Sequence, residues 1–426
     1  MNYIFKKANI LIPKNSEDYP FFSTVACDQF TSQPDYWKNI DEYTKNKKSS
    51  YHITFPEIFL EDSGFEQRIE KINNNMNEYL NSNFFKEIKN SLIYVERQMS
   101  DNTIRQGVVG VIDLEFYDYK QGSQPQVRAT EGTVLERIPP RVQIRKDAPL
   151  ETPHIMLLID DEEMQIIESL KENIKEKLYD FNLCANGGNI KGYLVEDTYA
   201  DKFIEKINFL QDETFFKEKY PYAKNKSPLS FAAGDGNHSL ATAKKCYEDL
   251  KLQIGESNAK SSPARYALCE IVNLHSDSLK FEAIHRVLFN CDYENLQKEM
   301  TCFYKNQSIE FNNHNDNSSK SFDLIMLNEK KHVCLKQPKF NLSVACLDEF
   351  LINYANKNNL KIDYIHGEEA VFSLCENGKN AGFILPAMEK SDLFKTVILD
   401  GALPRKTFSM GHANEKRYYL ECRKIK

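Results

Sequence analysis

An apolar run, Pro228-Leu229-Ser230-Phe231-Ala232-Ala233, ends in Gly234-Asp235-Gly236-Asn237-His238-Ser239 and passes at once into a helical pattern from Leu240 to Leu250. Two glycines allow a sharp turn and a close approach of the backbone to a ligand. A helix that begins there aims its free N–H groups and the positive end of its dipole at an anion. A strand, a glycine loop and a helix start in that order call for a sheet with helices packed on it. The expected class is therefore α+β, a mixed sheet core with flanking helices. Within the loop, Asp235 suits a divalent cation, His238 a phosphate oxygen or a moving proton, and Ser239 a helix cap or a phosphate. The same spacing also serves a structural turn in which Asp235 and Ser239 only satisfy backbone donors.

The rest of the chain gives this element its setting. With 426 residues, two or three domains are expected, and the pattern divides into an irregular and helical segment (1–90), a central α+β core (91–300) and a C-terminal α+β segment (301–426). Pro13, Pro20 and Pro34 make 10–50 read as loops and short strands. Ile69, Ile72, Met76, Leu80 and Phe84 recur at helical spacing and predict one helix over about 65–88. Short β-rich runs follow at 92–95, 107–114, 142–144 and 154–160. Helices are expected at 162–179 and 197–210, two strands or a strand with a short helix at 266–274 and 281–289, and helices at 347–358 and 368–377. The polar tract 306–320 reads as a surface excursion.

Composition removes several classes of function. Lys and Arg number 55 against 62 Asp and Glu, a net charge of -7, which disfavours a nucleic-acid backbone as partner. The longest apolar stretches, such as 155–159, are far too short to span a bilayer. The charged Met1–Lys7 stretch does not read as a signal peptide, so a cytoplasmic protein without a membrane partner is expected. Ten cysteines include no Cys-x-x-Cys pair and read as reduced thiols. No Walker loop, His-Glu-x-x-His helix or Gly-x-Ser-x-Gly elbow is present.

Four further constellations carry polar chemistry. Arg128-Ala129-Thr130-Glu131-Gly132-Thr133 precedes Arg141 and Arg145. Read as a strand, 141–145 would place both arginines on one face, suited to phosphate or carboxylate, with Glu131 as the natural base or metal ligand. The alternative is a solvated edge strand with ordinary ion pairs. Glu282-Ala283-Ile284-His285-Arg286 and the later Lys406, Thr407, Ser409 and His412 place histidines among cations, suited to anion recognition. Asp28, Gln29, Thr31 and Ser32 are polar enough to line a pocket, but nothing in their spacing names a reaction and a plain surface loop explains them better.

At these residues the sequence resembles the domain-of-unknown-function 1015 family. Thr130-Glu131-Gly132-Thr133 is similar to its His-Glu-x-Thr element, Arg141 to the arginine that follows, and Asp235-Gly236-Asn237-His238-Ser239 to its Asp-Gly-His-His-Arg signature. Glu282–Arg286 and Leu403–Thr407 resemble its Pro-x-His-Arg and Met-Pro-x-Lys-Ser/Thr elements. That signature is similar in turn to the phosphate-binding box of the ParB and sulfiredoxin-like superfamily, which includes free serine kinases. The resemblance implies a ParB/sulfiredoxin-like nucleotide-binding element, with Gly234, Gly236, Asn237 and Ser239 at phosphate and Glu131 as base. Asn237 and Ser239 replace a His and an Arg of the signature, so a phosphate-binding charge is missing, and Arg141, Arg145 or Lys406 is expected to supply it.

These readings lead to a phosphoryl-transfer enzyme acting on a small polar metabolite, serine or phosphoserine first, with ATP or ADP and with Mg²⁺ held at Asp235. The catalytic set is Glu131, Asp235 and His238. A phosphate-ester hydrolase uses the same groups to position water. A nucleotide-sensing regulatory or partner-binding protein, or a metabolite binder without catalysis, would use them only to bind. Oligomeric state is not readable from the sequence.

Overall fold

The computed structural model describes residues 3–152, 154–311, 320–327 and 329–426. The chain forms two compact units, one made of 1–279 and 412–426 and the other of 280–411. These boundaries differ from the expected divisions at 90/91 and 300/301. Residues 312–319 of the polar tract lie outside the described residues.

The first unit is built on a mixed sheet. Its strands run in the order Val127–Ala129, Phe231–Asp235, Met156–Ile159, Tyr266–Asn273, Ile104–Asp113, Ile93–Gln98, Asn189–Val195 and Ile174–Asn182, and Phe5–Lys6 also pairs with Ile104–Asp113. Val127–Ala129 is parallel to Phe231–Asp235, and Met156–Ile159 is parallel to Tyr266–Asn273; the other pairings are antiparallel. Both faces are covered. Val109 and Val111 join a core with Ile10, Trp37 and Tyr418, while Val108 and Ile112 join one with Phe5, Phe203 and Tyr247. Burial on two faces explains why these strands read as continuous apolar runs rather than alternating ones.

The second unit has an antiparallel sheet ordered Ile309–Phe311, Glu329–Leu335, Lys320–Met326, Ala381–Ile384, Phe281–Leu288 and Ile362–His366, with Phe408–Met410 on the end of Phe281–Leu288. Val371 and Cys375 of the helix Glu368–Cys375 pack on Val287, Ile325 and Ile384.

The α+β class, with a mixed sheet and flanking helices, holds, and four local expectations change. The 65–88 helix stops at Asn81, because Asn83 turns at φ 55° and Phe85–Ser91 pairs with the strand Ala8–Pro13. The helix expected over 162–179 is a 3-10 turn, Glu168–Asn173, followed by the strand Ile174–Asn182, whose residues find hydrogen-bonding partners on Asn189–Val195. Residues 141–145 are not a strand but belong to the helix Ile138–Lys146, where Pro139 and Pro140 sit in the first turn and lack only N–H groups that a helix start does not use. Likewise 10–50 holds the strand Ala8–Pro13 and a ten-residue helix, Pro34–Tyr43, opened by Pro34.

Candidate functional site around the glycine loop

The strand Phe231–Asp235 ends at Gly236, which takes φ 73° and ψ 24°, and the helix Asn237–Ile254 starts on the next residue. A Cβ on Gly236 would stand 2.9 Å from Ile155 Cα and 3.2 Å from His154 O, both backbone atoms, so conformation and space each demand glycine. The first helical bond runs from Leu240 N–H to Gly236 C=O, at 3.0 Å, which leaves the N–H groups of Asn237, His238 and Ser239 outside the helical ladder. Asp235 Oδ1 accepts from Gly236 N–H at 3.0 Å, and the buried Asn237 Oδ1 has no hydrogen-bond partner among the described residues.

Beside this strand runs Val127–Ala129, in parallel register, so Glu131 and Asp235 follow the carboxyl ends of neighbouring parallel strands, where ligands bind in open α/β sheets. Thr130 closes the gap by donating its backbone N–H and its hydroxyl to Ala233 C=O, at 3.3 and 2.8 Å. Val134 N–H donates to His238 Nε2 at 3.3 Å and ties the Glu131 loop to the first turn of the helix. That bond gives His238 a positioning task in addition to any contact with a ligand.

The cation at the loop is one that sequence reading missed. Lys416 Nζ lies 3.5 Å from Asp235 Oδ2, and both side chains are mostly buried. Its backbone is anchored because Arg97 donates to Lys416 C=O, as well as to Gly187 C=O and Asn414 C=O. Arg141 and Arg145, expected to supply the charge, are instead paired: Arg141 Nε donates to Glu57 Oε1 at 2.9 Å, and Arg145 is bound to Glu151. Both still line a pocket of about 130 Å³, with Ser239, Thr242, His154 and Glu57.

Next to the pocket, His154 Nε2 is 3.5 Å from Asp28 Oδ2, and His154 Nδ1 shares a 2.8 Å hydrogen bond with the Tyr419 hydroxyl. Burial alone would raise the Asp28 carboxyl. The charge and hydrogen bond of His154, a bond from Gln29 and the charge of Lys416 outweigh it and hold Asp28 well below the usual carboxylate range. For His154, burial pulls down, but Asp28 first, then Asp235 and Glu57, raise the imidazole above its ordinary value. The Cys27 thiol is pushed far up by burial and by the Asp28 and Glu57 carboxylates, which removes it as a nucleophile at neutral pH.

The pair stabilises the fold within a definite pH window. A depressed Asp28 contributes stability above its unfolded value near 3.9 and loses it as pH falls through the folded value; a raised His154 contributes fully below about 6.5 and loses it as pH rises through the folded value. The contribution is thus largest between about pH 4 and 6.5. In Asp28→Asn the His154 pKa is expected to fall, measured by NMR titration of its ring protons. An unchanged His154 titration would refute the pairing.

The remaining expected residues divide by unit. Gln29 Nε2 donates to Asp28 Oδ1 at 2.9 Å, while Thr31 and Ser32 are exposed on the next turn, closed by Gln33 N–H donating to Phe30 C=O. His412 caps a short turn, its N–H donating to Glu415 Oε2 at 3.0 Å. His285, Arg286, Lys406, Thr407 and Ser409 belong to the second unit. There Arg286 is fully buried and all five of its donors are used: two on Asp348 and the others on the carbonyls of Ile284, Arg405 and Lys406. It is a structural fork and has no donor left for phosphate. His285 Nδ1 accepts from Leu385 N–H at 3.1 Å, and burial lowers its pKa. The Thr407 hydroxyl donates to Pro404 C=O and the Ser409 hydroxyl to Gly411 C=O.

A mixed sheet that delivers a left-handed glycine and a helix start beside a Lys–Asp pair defines an α+β protein of the glycine-loop kind. The chain belongs to the family described as protein of unknown function DUF1015, which matches residues 11–351. No curated protein matches the chain. Free serine kinase in complex with AMP is similar at 11% identity and a TM-score of 0.39, over 74% of this chain and 91% of that one. A conserved hypothetical protein from Pyrococcus furiosus is similar at 11% identity and a TM-score of 0.34, over 73% and 90% of the two chains. SbnI with a C-terminal truncation, from Staphylococcus aureus, is similar at 7% identity and a TM-score of 0.36, over 71% and 83%.

Proposed function

We propose that this protein transfers a phosphoryl group between a nucleotide and a small polar metabolite, an amino acid of the serine or phosphoserine type. The observation that carries the reading is Lys416 beside Asp235 at a glycine-started helix, where first-turn N–H groups outside the helical ladder and a cation meet at the carboxyl ends of two parallel strands. Phosphoryl transfer asks a protein mainly for positioning and charge neutralisation, and these groups supply both. The N–H groups of Asn237, His238 and Ser239 would bind phosphate oxygens, and Lys416 would offset their charge.

Asp235 and Asn237 Oδ1, which has no hydrogen-bond partner among the described residues, offer hard oxygen donors, the chemistry Mg²⁺ selects. When bound there, Mg²⁺ would neutralise charge on the phosphate oxygens. The pocket beside the loop, about 130 Å³, suits a small metabolite rather than a bulky one. The Asp28 carboxylate and the adjacent His154 imidazole offer an acidic and a basic group, which complement the ammonium and carboxylate of an amino acid. The proton of the acceptor hydroxyl passes to a carboxylate, with Glu131 and Asp28 as the two candidates.

A thermal-shift screen with ATP, ADP, AMP, serine and phosphoserine, each with and without Mg²⁺, tests this reading. A ligand at about 100 times its dissociation constant adds roughly 2.7 kcal/mol of stability. A rise in melting temperature with a nucleotide or phosphoserine that Asp235→Ala abolishes is the expected result. Glu131→Gln and Asp28→Asn then identify the base: loss of turnover with binding kept marks it. Ester cleavage without transfer would assign a hydrolase, and binding without turnover a sensor. No shift with any phosphate ligand overturns the reading.

A further inference from the structure

A second cleft of the first unit, away from the glycine-loop pocket and sharing none of its lining residues, has a volume of about 480 Å³ and is lined by Lys6, Lys7, Arg423, Lys424 and Lys426 against a single acid, Glu87. Part of its lining is apolar and buried. Ala8 and Leu11 belong to the strand Ala8–Pro13, Val111 to the central sheet, and Tyr266 to the next strand. In a chain of net charge -7, five cations around one concavity are a local reversal of sign.

The ion pairs nearby do not cancel it. Asp113, the acid 3.8 Å from Lys6, is forked by Arg265 at 2.6 and 3.0 Å, so one carboxylate serves two cations. Glu151 is likewise shared by Arg423 and Arg145. Asp147 lies 3.7 Å from Lys426 and 4.0 Å from Lys146, again one acid for two bases. Lys7 alone has its own partner, Asp201 at 2.5 Å. Lys424 is exposed and makes no ion pair among the described residues. Lys6 is further oriented by the Tyr266 hydroxyl at 3.2 Å, with Nζ 4.9 Å from the ring centroid.

We infer that this cleft is a binding site for a small polyanion, a molecule carrying two or more phosphate or carboxylate groups. Single exposed cations gain little from a monovalent anion in water, whereas one ligand that bridges several of them gathers these gains at the cost of one association. The volume lies in the range of small-molecule sites, and the buried apolar lining strengthens each charge contact. The site is independent of the glycine loop, so it suits an effector rather than the reacting metabolite.

Isothermal titration of the full chain with pyrophosphate and, separately, with citrate tests the assignment and separates the two ligand chemistries. Binding of at least one is expected, weakening as salt rises because the cations are near the surface. Lys424 and Lys426 are both exposed, so Lys424→Glu with Lys426→Glu leaves the fold intact; it is expected to weaken binding at least tenfold, while Asp235→Ala leaves it unchanged. No binding of either probe at low salt, or binding indifferent to the double substitution, overturns the inference. Binding abolished by Asp235→Ala instead would place the anion at the glycine loop, overturning this site while favouring the proposed function.

Discussion

Glu270→Ala is expected to destabilise the protein by about 3–5 kcal/mol, the cost of leaving buried charge without its partner. Glu270 is 1% exposed and lies between Arg417, which donates to its Oε2, and Arg105, whose Nε stands 3.8 Å from its Oε1. Arg97 adds a third cation to the same region, and its pKa is lowered to about 9 by burial and by Arg105. Arg417 has a second acid, Glu421, at 2.6 Å, so the substitution strands Arg105 most. Urea unfolding followed by circular dichroism measures the effect. The exposed pair Lys45–Glu42 gives the contrast, since Glu42→Ala should cost under about 1 kcal/mol. A Glu270→Ala loss equally small would show that the network does not hold the sheet.

The sign of its pH dependence follows. Burial would raise Glu270, but Arg417, Arg105 and Arg97 hold it below the usual carboxylate range. Its stabilisation is present at neutral pH and is lost as pH falls through the folded value. Glu270→Ala should therefore lose less stability on acidification than the parent protein.

The second large effect is expected from Lys416→Met, which keeps the length of the side chain and removes its charge. A hydrogen bond to a charged group contributes about 1.5–3 kcal/mol, so the dissociation constant for a phosphorylated ligand should rise roughly ten- to hundredfold. Lys416→Arg should restore much of the loss, because what the loop needs is a cation 3.5 Å from Asp235. Calorimetric titration of the ligand found by thermal shift measures both. Wild-type affinity in Lys416→Met would remove this residue from phosphate recognition and return the question to Arg141, whose guanidinium lines the neighbouring pocket.

The glycine loop was legible because two local signals coincide there: an apolar run that only a buried strand explains, and a glycine that φ 73° and a 2.9 Å backbone approach require. The helix Ile138–Lys146 was misread because Val142 and Ile144 imitate strand alternation over five residues; the earlier Pro139-Pro140 pair was the better signal. Residues 174–179 were misread as helix because Lys175, Glu176 and Lys177 are residues that favour helices, while the hairpin partner that decides the matter lies beyond the Asn186–Gly188 turn. Lys416 and His154 were out of reach for another reason. Each meets the loop only through tertiary pairing, Lys416 from 181 positions away along the chain, and no local spacing marks it.

That distance has a consequence for how the protein is made. The segment 412–426 is synthesised only after all of 280–411, yet it supplies Lys416, Arg417, Tyr419 and Arg423 to the unit that began at the other end of the chain. Until the ribosome has passed the second unit, the first holds Glu270 without Arg417, Asp235 without Lys416 and His154 without Tyr419, a finished sheet whose charges are only partly paired. Domains usually complete themselves in the order they emerge. Here the order is nested, and a ribosome stalled anywhere in 280–411 releases a chain in which neither the ionic core nor the glycine-loop cation has yet been made.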